Sequence, residues 1–191
     1  TRNDRKPLDD PQAVEPVDAF DLFTTTHTRI QDVAHQSLPA QTKKYDADHG
    51  TAVVMEVATG RIVAMANLGR NADSVYSELR NYAVWERTEP GSTIKLLSAM
   101  ALLETGVADT SDKVNTENGV VTIYGKKVRD SRKGGYGTIS LRKAFEVSSN
   151  TGIVKLVQEH FEKHPDDYVD FLYSRGFHKN TGITIKGESA P

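Results

Sequence analysis

A serine and a lysine stand three residues apart near the start of the apolar run TEPGSTIKLLSAMALLETG, residues 88–106. Pro90 disfavours helical backbone in the residue before it, and the glycine that follows gives the chain freedom to turn. We therefore expect a helix that begins at Ser92 and ends at the glycine closing the run. Because residues three apart share one helix face, Ser92 and Lys95 should lie side by side. A helix that is apolar on nearly every side is usually buried.

The ordinary interpretation of this pair is that Ser92 caps the helix and Lys95 reaches out to solvent. However, a cation in the first turn opposes the helix dipole by roughly 0.3–1 kcal/mol, and a capping box requires Glu or Gln at that position. A lysine in dry surroundings has a lowered pKa, and the neutral amine can take the proton of a serine hydroxyl. The pattern therefore indicates a serine nucleophile with a lysine base, placed where backbone N–H groups face a developing oxyanion.

The same spacing occurs a second time, in Ser140-Leu141-Arg142-Lys143. Here Ser140 follows the glycine-rich segment GGYGTI and is typical of a helix cap. Lys143 lies beside Arg142, which indicates a polar, solvated face. We predict an ordinary helix start at this second copy.

A second polar cluster lies in FEVSSNTG, where Ser148, Ser149 and Asn150 fall at an apparent break between two helices. Taken alone, small polar residues at such a break are caps and turn formers. Together with Ser92 and Lys95, they supply two of the three elements of a known serine acyl-transfer set, namely Ser-x-x-Lys and Ser-x-Asn.

Two rival sites are weaker. His160 and His164 have the i, i+4 spacing of a metal-binding pair, but a zinc-protease helix needs its glutamate directly after the first histidine, and Glu162 comes one residue later. We predict a solvated helix end there and no metal site. The glycines of residues 134–137 match neither a phosphate-binding loop nor a dinucleotide-binding loop, and they indicate a turn.

The composition excludes several classes of protein. The chain has 191 residues, 24 basic and 26 acidic, and a formal net charge of −2, so it offers no bulk attraction to nucleic acid. The absence of cysteine excludes disulfides and thiolate metal sites. No apolar run approaches the ~20 residues needed to cross a bilayer. Because the chain begins with Thr1 rather than methionine, we expect a piece of a longer protein.

The first half of the chain contains a charged arm and a hairpin. Residues 1–18 are charged and contain prolines, which is typical of a linker or extended arm. Helical spacing of apolar residues predicts a helix within residues 27–45, which Pro39 should limit. Two β-rich runs then flank residues 58–60 and predict a β-hairpin.

The second half is mainly helical. Residues 114–138 indicate an irregular hairpin that ends in a glycine cluster. Three helices should follow, beginning at Ser140, at Thr151 and at Pro165, the last of them stopped by Gly176. The predicted fold class is α/β (α+β), a short antiparallel sheet with several packed helices.

These motifs resemble those of one enzyme family. EPGSTIK resembles the acylation-site motif of the monofunctional (class B) penicillin-binding proteins, most of all the septal D,D-transpeptidase of cell division, and SSN is similar to the second motif of that family. HGTAVVMEVATGRIVAMANLG resembles the strand pair before the nucleophile, and DLFTTTHTRIQDVAHQSL and TGITIKGESAP agree more loosely. The resemblance runs from about residue 20 to the end, and implies the fold shared by penicillin-binding-protein transpeptidases and serine β-lactamases.

The resemblance also implies a mechanism without a cofactor. Ser92 would attack the bond between two D-alanines of a peptidoglycan stem peptide, with Lys95 as its base. Ser148 would relay a proton to the leaving group, and Asn150 would orient the substrate amide. An amine from a neighbouring stem would resolve the acyl-enzyme, whereas β-lactam antibiotics would acylate Ser92 and remain bound. The oxyanion would be held by the Ser92 N–H and a second N–H from another strand.

The chain departs from the family pattern because it contains no Lys-Thr-Gly or Lys-Ser-Gly. The segment 179–182, Lys-Asn-Thr-Gly, carries an extra residue and follows the second motif too soon. We therefore expect residues 19–191 to be the N-terminal portion of a transpeptidase domain, without the C-terminal strands. Such a portion should leave apolar surface uncovered and be inactive by itself.

The resemblance further implies cell-division proteins as partners, no nucleic acid, and a periplasmic or extracytoplasmic location, with the parent protein anchored in the inner membrane by an N-terminal helix. Two alternatives stay open at this point. One is a β-lactam-sensing or β-lactam-hydrolysing relative that is acylated at the same serine. The other is a non-catalytic scaffold module of a division complex.

Overall fold

The computed structural model describes residues 19–190. The chain divides into two compact units at the boundary between Ala83 and Val84. Both units are mixed in secondary structure, as the predicted α/β class requires. The predicted linker of residues 1–18 lies outside the described residues.

The first unit is a three-stranded antiparallel sheet covered by one helix. Helix α1 spans Thr28–Lys44, strand β1 spans His49–Met55 and strand β2 spans Ile62–Arg70. The short strand β3, Tyr76–Ser77, completes the order β1-β2-β3. The turn between β1 and β2 contains Gly60 with φ of +71°. The predicted hairpin is confirmed, and its pairing joins residues such as Ala52 and Ala66.

Helix α1 continues through Pro39, so the expectation that this proline limits the helix is wrong. Proline lacks the N–H of a regular helical hydrogen bond, and this defect costs ~3 kcal/mol or more in a helix interior. The cost is offset by packing on both sides of the defect. Ala34, Leu38 and Thr42 repeat every four residues, are buried, and form the face that α1 turns toward the sheet.

The second unit contains most of the helices and two small strand pairs. A short helix, α2, spans Tyr82–Trp85 across the unit boundary, and a 3-10 turn spans Gly91–Thr93. The elements that follow are α3 (Ile94–Glu104), β4 (Lys113–Asn115), β5 (Val120–Ile123), β6 (Lys126–Arg129), β7 (Thr138–Ser140), α4 (Leu141–Glu146), α5 (Asn150–Phe161) and α6 (Pro165–Ser174).

The three predicted helix starts after residue 138 are confirmed to within one residue, since α4 begins at Leu141, α5 at Asn150 and α6 at Pro165. Ser140 caps α4 by accepting a hydrogen bond from the backbone N–H of Lys143, and Ser149 caps α5 in the same way from Gly152. Pro165 is the first residue of α6, where its missing N–H costs nothing. Gly176 follows that helix with φ of +87°. The break between α4 and α5 therefore falls at the SSN segment, as predicted.

The core of the second unit lies where α3, α4, α5 and α6 meet. Its largest fully buried apolar side chains are Leu102 of α3, Leu141 of α4 and Leu156 of α5. Full burial of a leucine contributes ~1.5–3 kcal/mol, so these contacts fix α3 against α4 and α5. The two helices that carry the candidate chemistry are thereby held in one rigid cluster.

The predicted irregular hairpin of residues 114–138 proves to be two strand pairs. Strand β5 pairs with β6 through a turn at Tyr124 and Gly125, and β4 pairs separately with β7. The chain crosses itself at Gly119 and Gly135. A Cβ on Gly135 would lie 2.5 Å from the Gly119 nitrogen, so only glycine fits. The glycine cluster therefore closes the base of the hairpin.

The expectation that α3 is buried on nearly every side is wrong for one face. Leu96 is 53% exposed and Leu103 is 39% exposed, although Ala101 and Leu102 are fully buried. Leu96 and Leu103 are seven residues apart and share a face. Among residues 19–190, no helix combines the length and the apolar character that crossing a bilayer requires.

Candidate active site

Ser92 lies in the 3-10 turn just before α3, so the helix proper begins two residues later than the sequence predicts. Gly91 opens this turn with φ of +57°, a backbone conformation that side-chain-bearing residues rarely adopt. Thr93 closes it by donating its hydroxyl to the carbonyl of Pro90 at 2.6 Å. The turn has no side-chain cap, so the Ser92 hydroxyl is not used as a helix cap.

The amine of Lys95 is buried beside Ser92. Lys95 is 7% exposed, and its Nζ lies 3.1 Å from the Ser92 Oγ. The same Nζ lies 2.8 Å from the Ser148 Oγ and 2.7 Å from the Ser148 carbonyl oxygen. The ordinary interpretation, in which the lysine reaches solvent, is therefore wrong. The structure brings Ser92, Lys95 and Ser148 together within hydrogen-bonding distance.

Burial lowers the pKa of Lys95, because it disfavours the charged form, and the negative charge of Asp130 opposes this shift. The Lys95 amine donates to the Ser92 Oγ and to both oxygens of Ser148. The Ser148 hydroxyl donates to the Ser92 Oγ at 3.2 Å. Ser92, Lys95 and Ser148 therefore form a closed ring of polar groups, each within hydrogen-bonding distance of the other two.

Ser148 owes its position to a strained turn. It is in the left-handed region with φ of +54°, which a residue with a side chain adopts only when its surroundings enforce it. Its N–H donates to the Phe145 carbonyl at the end of α4. This conformation directs both the hydroxyl and the carbonyl oxygen of Ser148 to the same lysine amine.

Asn150 is the first residue of α5, two residues after Ser148. Its side-chain Nδ2 donates to the Arg129 carbonyl at 2.6 Å. This bond ties Asn150 to the end of β6 and fixes its amide group. The amide is not part of the ring of polar groups.

Asp130 is a functional candidate that the sequence indicates only by its position, as a residue that could border the cleft. Its carboxylate accepts hydrogen bonds from the Ser149 hydroxyl at 3.1 Å and from the Thr151 hydroxyl at 2.6 Å. It also accepts the Thr151 backbone N–H at 3.0 Å. The sequence offered only an aspartate at the end of a strand, and nothing in it linked that residue to a helix start nearly twenty positions away.

The alternative sites behave as ordinary structure. In the second Ser-x-x-Lys copy, Ser140 caps α4 and Lys143 pairs with Glu146 at 3.0 Å on an exposed surface. His164 stands just before α6 as an exposed residue. Over residues 19–190, no group of three or more His, Asp or Glu side chains is arranged to hold a metal ion.

Comparison with known proteins gives a consistent result. Residues 50–191 match the family described as "Penicillin binding protein transpeptidase domain". Over an alignment of 191 residues, the chain is 31% identical to the probable peptidoglycan D,D-transpeptidase PenA of Neisseria gonorrhoeae. The alignment covers 96% of this chain and 31% of that protein. It is 29% identical to the peptidoglycan D,D-transpeptidase FtsI of Escherichia coli K12, over 98% of this chain and 32% of that protein.

A solved structure agrees with these relatives. Penicillin-binding protein 3 from Mycobacterium tuberculosis, complexed with ampicillin, is similar with a TM-score of 0.73 and 29% identity. The similarity covers 86% of this chain and 37% of that chain. The chain thus spans about a third of the length of the curated relatives it matches.

Proposed function

The chain belongs to the penicillin-binding protein transpeptidase family, and we propose that it carries the nucleophile of a peptidoglycan D,D-transpeptidase. The observation that supports this proposal is the ring of Ser92, Lys95 and Ser148, with the lysine amine 3.1 Å from one hydroxyl and 2.8 Å from the other. A serine nucleophile needs a base in contact with its hydroxyl, and a buried lysine can be neutral near physiological pH.

In the first half-reaction, the Ser92 Oγ attacks the carbonyl carbon between two D-alanines of a stem peptide. The hydroxyl proton passes to the Lys95 amine, and the carbonyl oxygen becomes an oxyanion facing the Ser92 N–H. The C–N bond then breaks. The leaving amine takes a proton through the Ser148 hydroxyl, which Lys95 resupplies. D-alanine departs and a serine ester remains.

In the second half-reaction, an amine of a neighbouring stem peptide attacks this ester. Lys95 accepts the amine proton and returns one to the Ser92 oxygen, so that a new amide bond forms and the serine is restored. Asn150 orients the amide of the donor substrate. A β-lactam acylates the same serine by ring opening, and the tethered leaving group blocks the second half-reaction.

We assign residues 19–191 to the N-terminal portion of the transpeptidase domain. Two observations support this assignment: the chain spans about a third of its curated relatives, and it contains no Lys-Thr-Gly or Lys-Ser-Gly. The second oxyanion donor then comes from a strand outside this chain. The 191-residue chain should therefore bind no β-lactam covalently by itself.

We propose a biological setting that the names of the relatives support. FtsI and PenA carry the name peptidoglycan D,D-transpeptidase, and the sporulation protein SpoVD of Bacillus subtilis is 29% identical to this chain. We place the protein in septal cross-linking, with cell-division proteins as partners. We propose that the domain lies outside the cytoplasm, where peptidoglycan is cross-linked, and that its parent protein is anchored in a membrane.

Labelling with a fluorescent penicillin tests the proposal. The protein to use is an extended chain that continues from residue 191 through the third motif of the family, a Lys-Thr-Gly or Lys-Ser-Gly segment. The control variants are Ser92→Ala and Ser140→Ala. We expect a covalent fluorescent band in the parent and in Ser140→Ala, and none in Ser92→Ala. An extended chain that folds and takes no label contradicts the proposal and favours a scaffold module.

The fate of the label separates the remaining alternative. A transpeptidase holds the penicilloyl ester for many minutes, whereas a β-lactam-hydrolysing enzyme releases it within its turnover time. We expect a stable adduct. Rapid loss of the label from Ser92 with accumulation of hydrolysed penicillin would assign the chain to the hydrolysing relatives instead.

A further inference from the structure

We propose that Asp130 is a positioning residue that holds the turn at Ser148, so that the Ser148 hydroxyl faces Lys95 and Ser92. This inference rests on the proposed function and adds a residue that neither motif contains. Asp130 does not touch the reacting atoms. It acts through Ser149, the middle residue of the second motif, and Thr151, the residue that follows the motif.

The carboxylate of Asp130 caps α5 from another element. Both of its oxygens are used: one accepts the Thr151 N–H at 3.0 Å, and the other accepts the Thr151 hydroxyl at 2.6 Å. The Ser149 hydroxyl also donates to it, at 3.1 Å, while accepting the Gly152 N–H at 2.9 Å. A carboxylate is favoured at a helix N-terminus by the helix dipole and by charge-assisted hydrogen bonds.

The turn at Ser148 has little freedom, because the two residues that Asp130 contacts are buried. Ser149 and Thr151 are both 0% exposed, so their hydroxyls have no water to replace a lost partner. Ser148 precedes them in a left-handed conformation that needs external support. Fixing Ser149 and Thr151 provides that support on the α5 side of the turn.

Asp130 is itself anchored. Its backbone N–H donates to the Gly119 carbonyl at 2.9 Å, at the crossing that closes the β5–β6 hairpin. The residue before it, Arg129, accepts the Asn150 amide through its carbonyl oxygen. The end of β6 therefore contacts the second motif at Ser149 and Asn150, and the first turn of α5 at Thr151.

Asp130 also acts on the base by its charge. Among the described residues, it is the charged group whose field raises the pKa of Lys95, against the larger lowering caused by burial. An uncharged residue at position 130 removes this opposing effect. The pKa of Lys95 should then fall further, a change that a purely structural cap would not produce.

Three variants separate these effects. Asp130→Ala removes both the hydrogen bonds and the charge, whereas Asp130→Asn removes the charge and keeps one acceptor oxygen. Asp109→Asn is the matched control, because Asp109 also accepts a backbone N–H and hydroxyls, from Ser111 and Thr110, in an exposed loop. Circular dichroism and a thermal melt of each variant verify that it is folded.

Two measurements on the 191-residue chain test the positioning directly. Hydrogen exchange of the peptide covering residues 147–153 should be at least tenfold faster in Asp130→Ala and near the parental rate in Asp130→Asn. Nuclear magnetic resonance titration of the labelled Lys95 side chain should give a lower pKa in Asp130→Asn than in the parent. Asp109→Asn should match the parent in both.

The third measurement is acylation of the extended chain by penicillin as a function of pH. Asp130→Ala should acylate about 10- to 100-fold more slowly, as expected for a misplaced relay group. Asp130→Asn should shift the acid limb of the rate profile toward lower pH.

The results distinguish the two proposals. Parental exchange in Asp130→Ala and an unchanged Lys95 pKa in Asp130→Asn would overturn the role of Asp130, even if the parent is acylated normally. A parent that takes no label refutes the transpeptidase, and the exchange and titration results still decide whether Asp130 holds the turn.

Discussion

The chain contains two Ser-x-x-Lys segments, and the surroundings of each lysine decide which segment can supply a nucleophile and its base. Lys95 is 7% exposed and contacts two serine hydroxyls. The Lys143 side chain is 55% exposed and pairs with Glu146. A lysine in water stays charged and cannot act as a base, whereas burial lowers the pKa of Lys95. Whether the motif can supply a base therefore depends on the burial of its lysine and not on the spacing of the serine and the lysine.

We expect Lys95→Ala to lower the rate of acylation by penicillin in the extended chain by about 10²–10⁴-fold, because it removes the proposed general base. The fold should be retained, since Lys95 lies at the start of α3 and not in the apolar cluster of the second unit. Labelling reactions that are stopped at several times and separated on a gel measure the rate of acylation. Lys143→Ala is the control, from the second copy of the motif, and should acylate normally. Parental acylation by Lys95→Ala would remove the assigned role.

The lowered pKa of Lys95 also affects stability. Below the lowered value both the folded and unfolded chains bind the proton, and the folded chain bears the cost of a buried charge. Between that value and 10.5, the ordinary pKa, the unfolded chain binds more protons. The free energy of unfolding therefore rises with pH across this window, and levels off above it.

Lys95→Met should remove this rise while keeping the side-chain volume. We expect the difference in unfolding free energy between the parent and Lys95→Met to shift in favour of the parent as pH increases from 7 toward 10.5. Urea denaturation at several pH values measures it, with Lys143→Met as control. A pH-independent difference would show that Lys95 has its ordinary pKa in the folded chain.

The β5–β6 hairpin supports the second motif, and a glycine crossing holds the base of that hairpin. Gly119 and Gly135 approach so closely that a Cβ on either would overlap backbone atoms of the other. Backbone atoms cannot rotate away as the end of a flexible side chain can. The crossing therefore fixes where β6 ends, and with it the position of Asp130, whose N–H bonds to Gly119.

We expect Gly135→Ala to destabilise the chain by about 3 kcal/mol or more, because it adds an overlap to the strain of a positive φ. Gly134→Ala is the matched control. Gly134 also has a positive φ, of +85°, but a Cβ there meets nothing within 4 Å, so only about 1–2 kcal/mol should be lost. Chemical denaturation of the two variants measures both costs. Equal losses would mean that the crossing tolerates a side chain.

Apolar surface remains uncovered in each of the two units. In the first, Val53 and Met55 on the edge strand β1 are 44% and 55% exposed. In the second, Leu96 and Leu103 share the exposed face of α3. Exposed apolar residues on a strand edge and a helix face are typical of surfaces that another part of a protein covers. They agree with the proposal that this chain is a portion of a larger domain.

An extended chain that includes the third motif should melt at a higher temperature than the 191-residue chain. Covering apolar area contributes ~25 cal/mol per Å², so burying the exposed faces of β1 and α3 raises the free energy of unfolding. Differential scanning calorimetry of the two chains measures the change, and binding of a hydrophobic dye provides a second readout. Equal melting temperatures and equal dye binding would contradict the partial-domain assignment.

Local elements were predictable where local chemistry fixes them. The β1–β2 hairpin follows from two β-rich runs around Gly60, and the starts of α4 and α6 follow from Ser140 and Pro165. The prediction failed at Pro39, because packing of Ala34 and Leu38 outweighs the helix-breaking tendency of proline. It also failed to separate β4–β7 from β5–β6, because pairing of distant strands leaves no local pattern.

The sequence by itself determined the residue types of the site and the resemblance to a transpeptidase, because Ser92, Lys95, Ser148 and Asn150 lie in short motifs whose spacing is local. Only the tertiary structure decided that the lysine is buried and that Ser148 reaches it across more than fifty residues. It alone brought Asp130 to the start of α5. Burial and contacts between distant residues arise from packing of the whole chain, and no short segment encodes them.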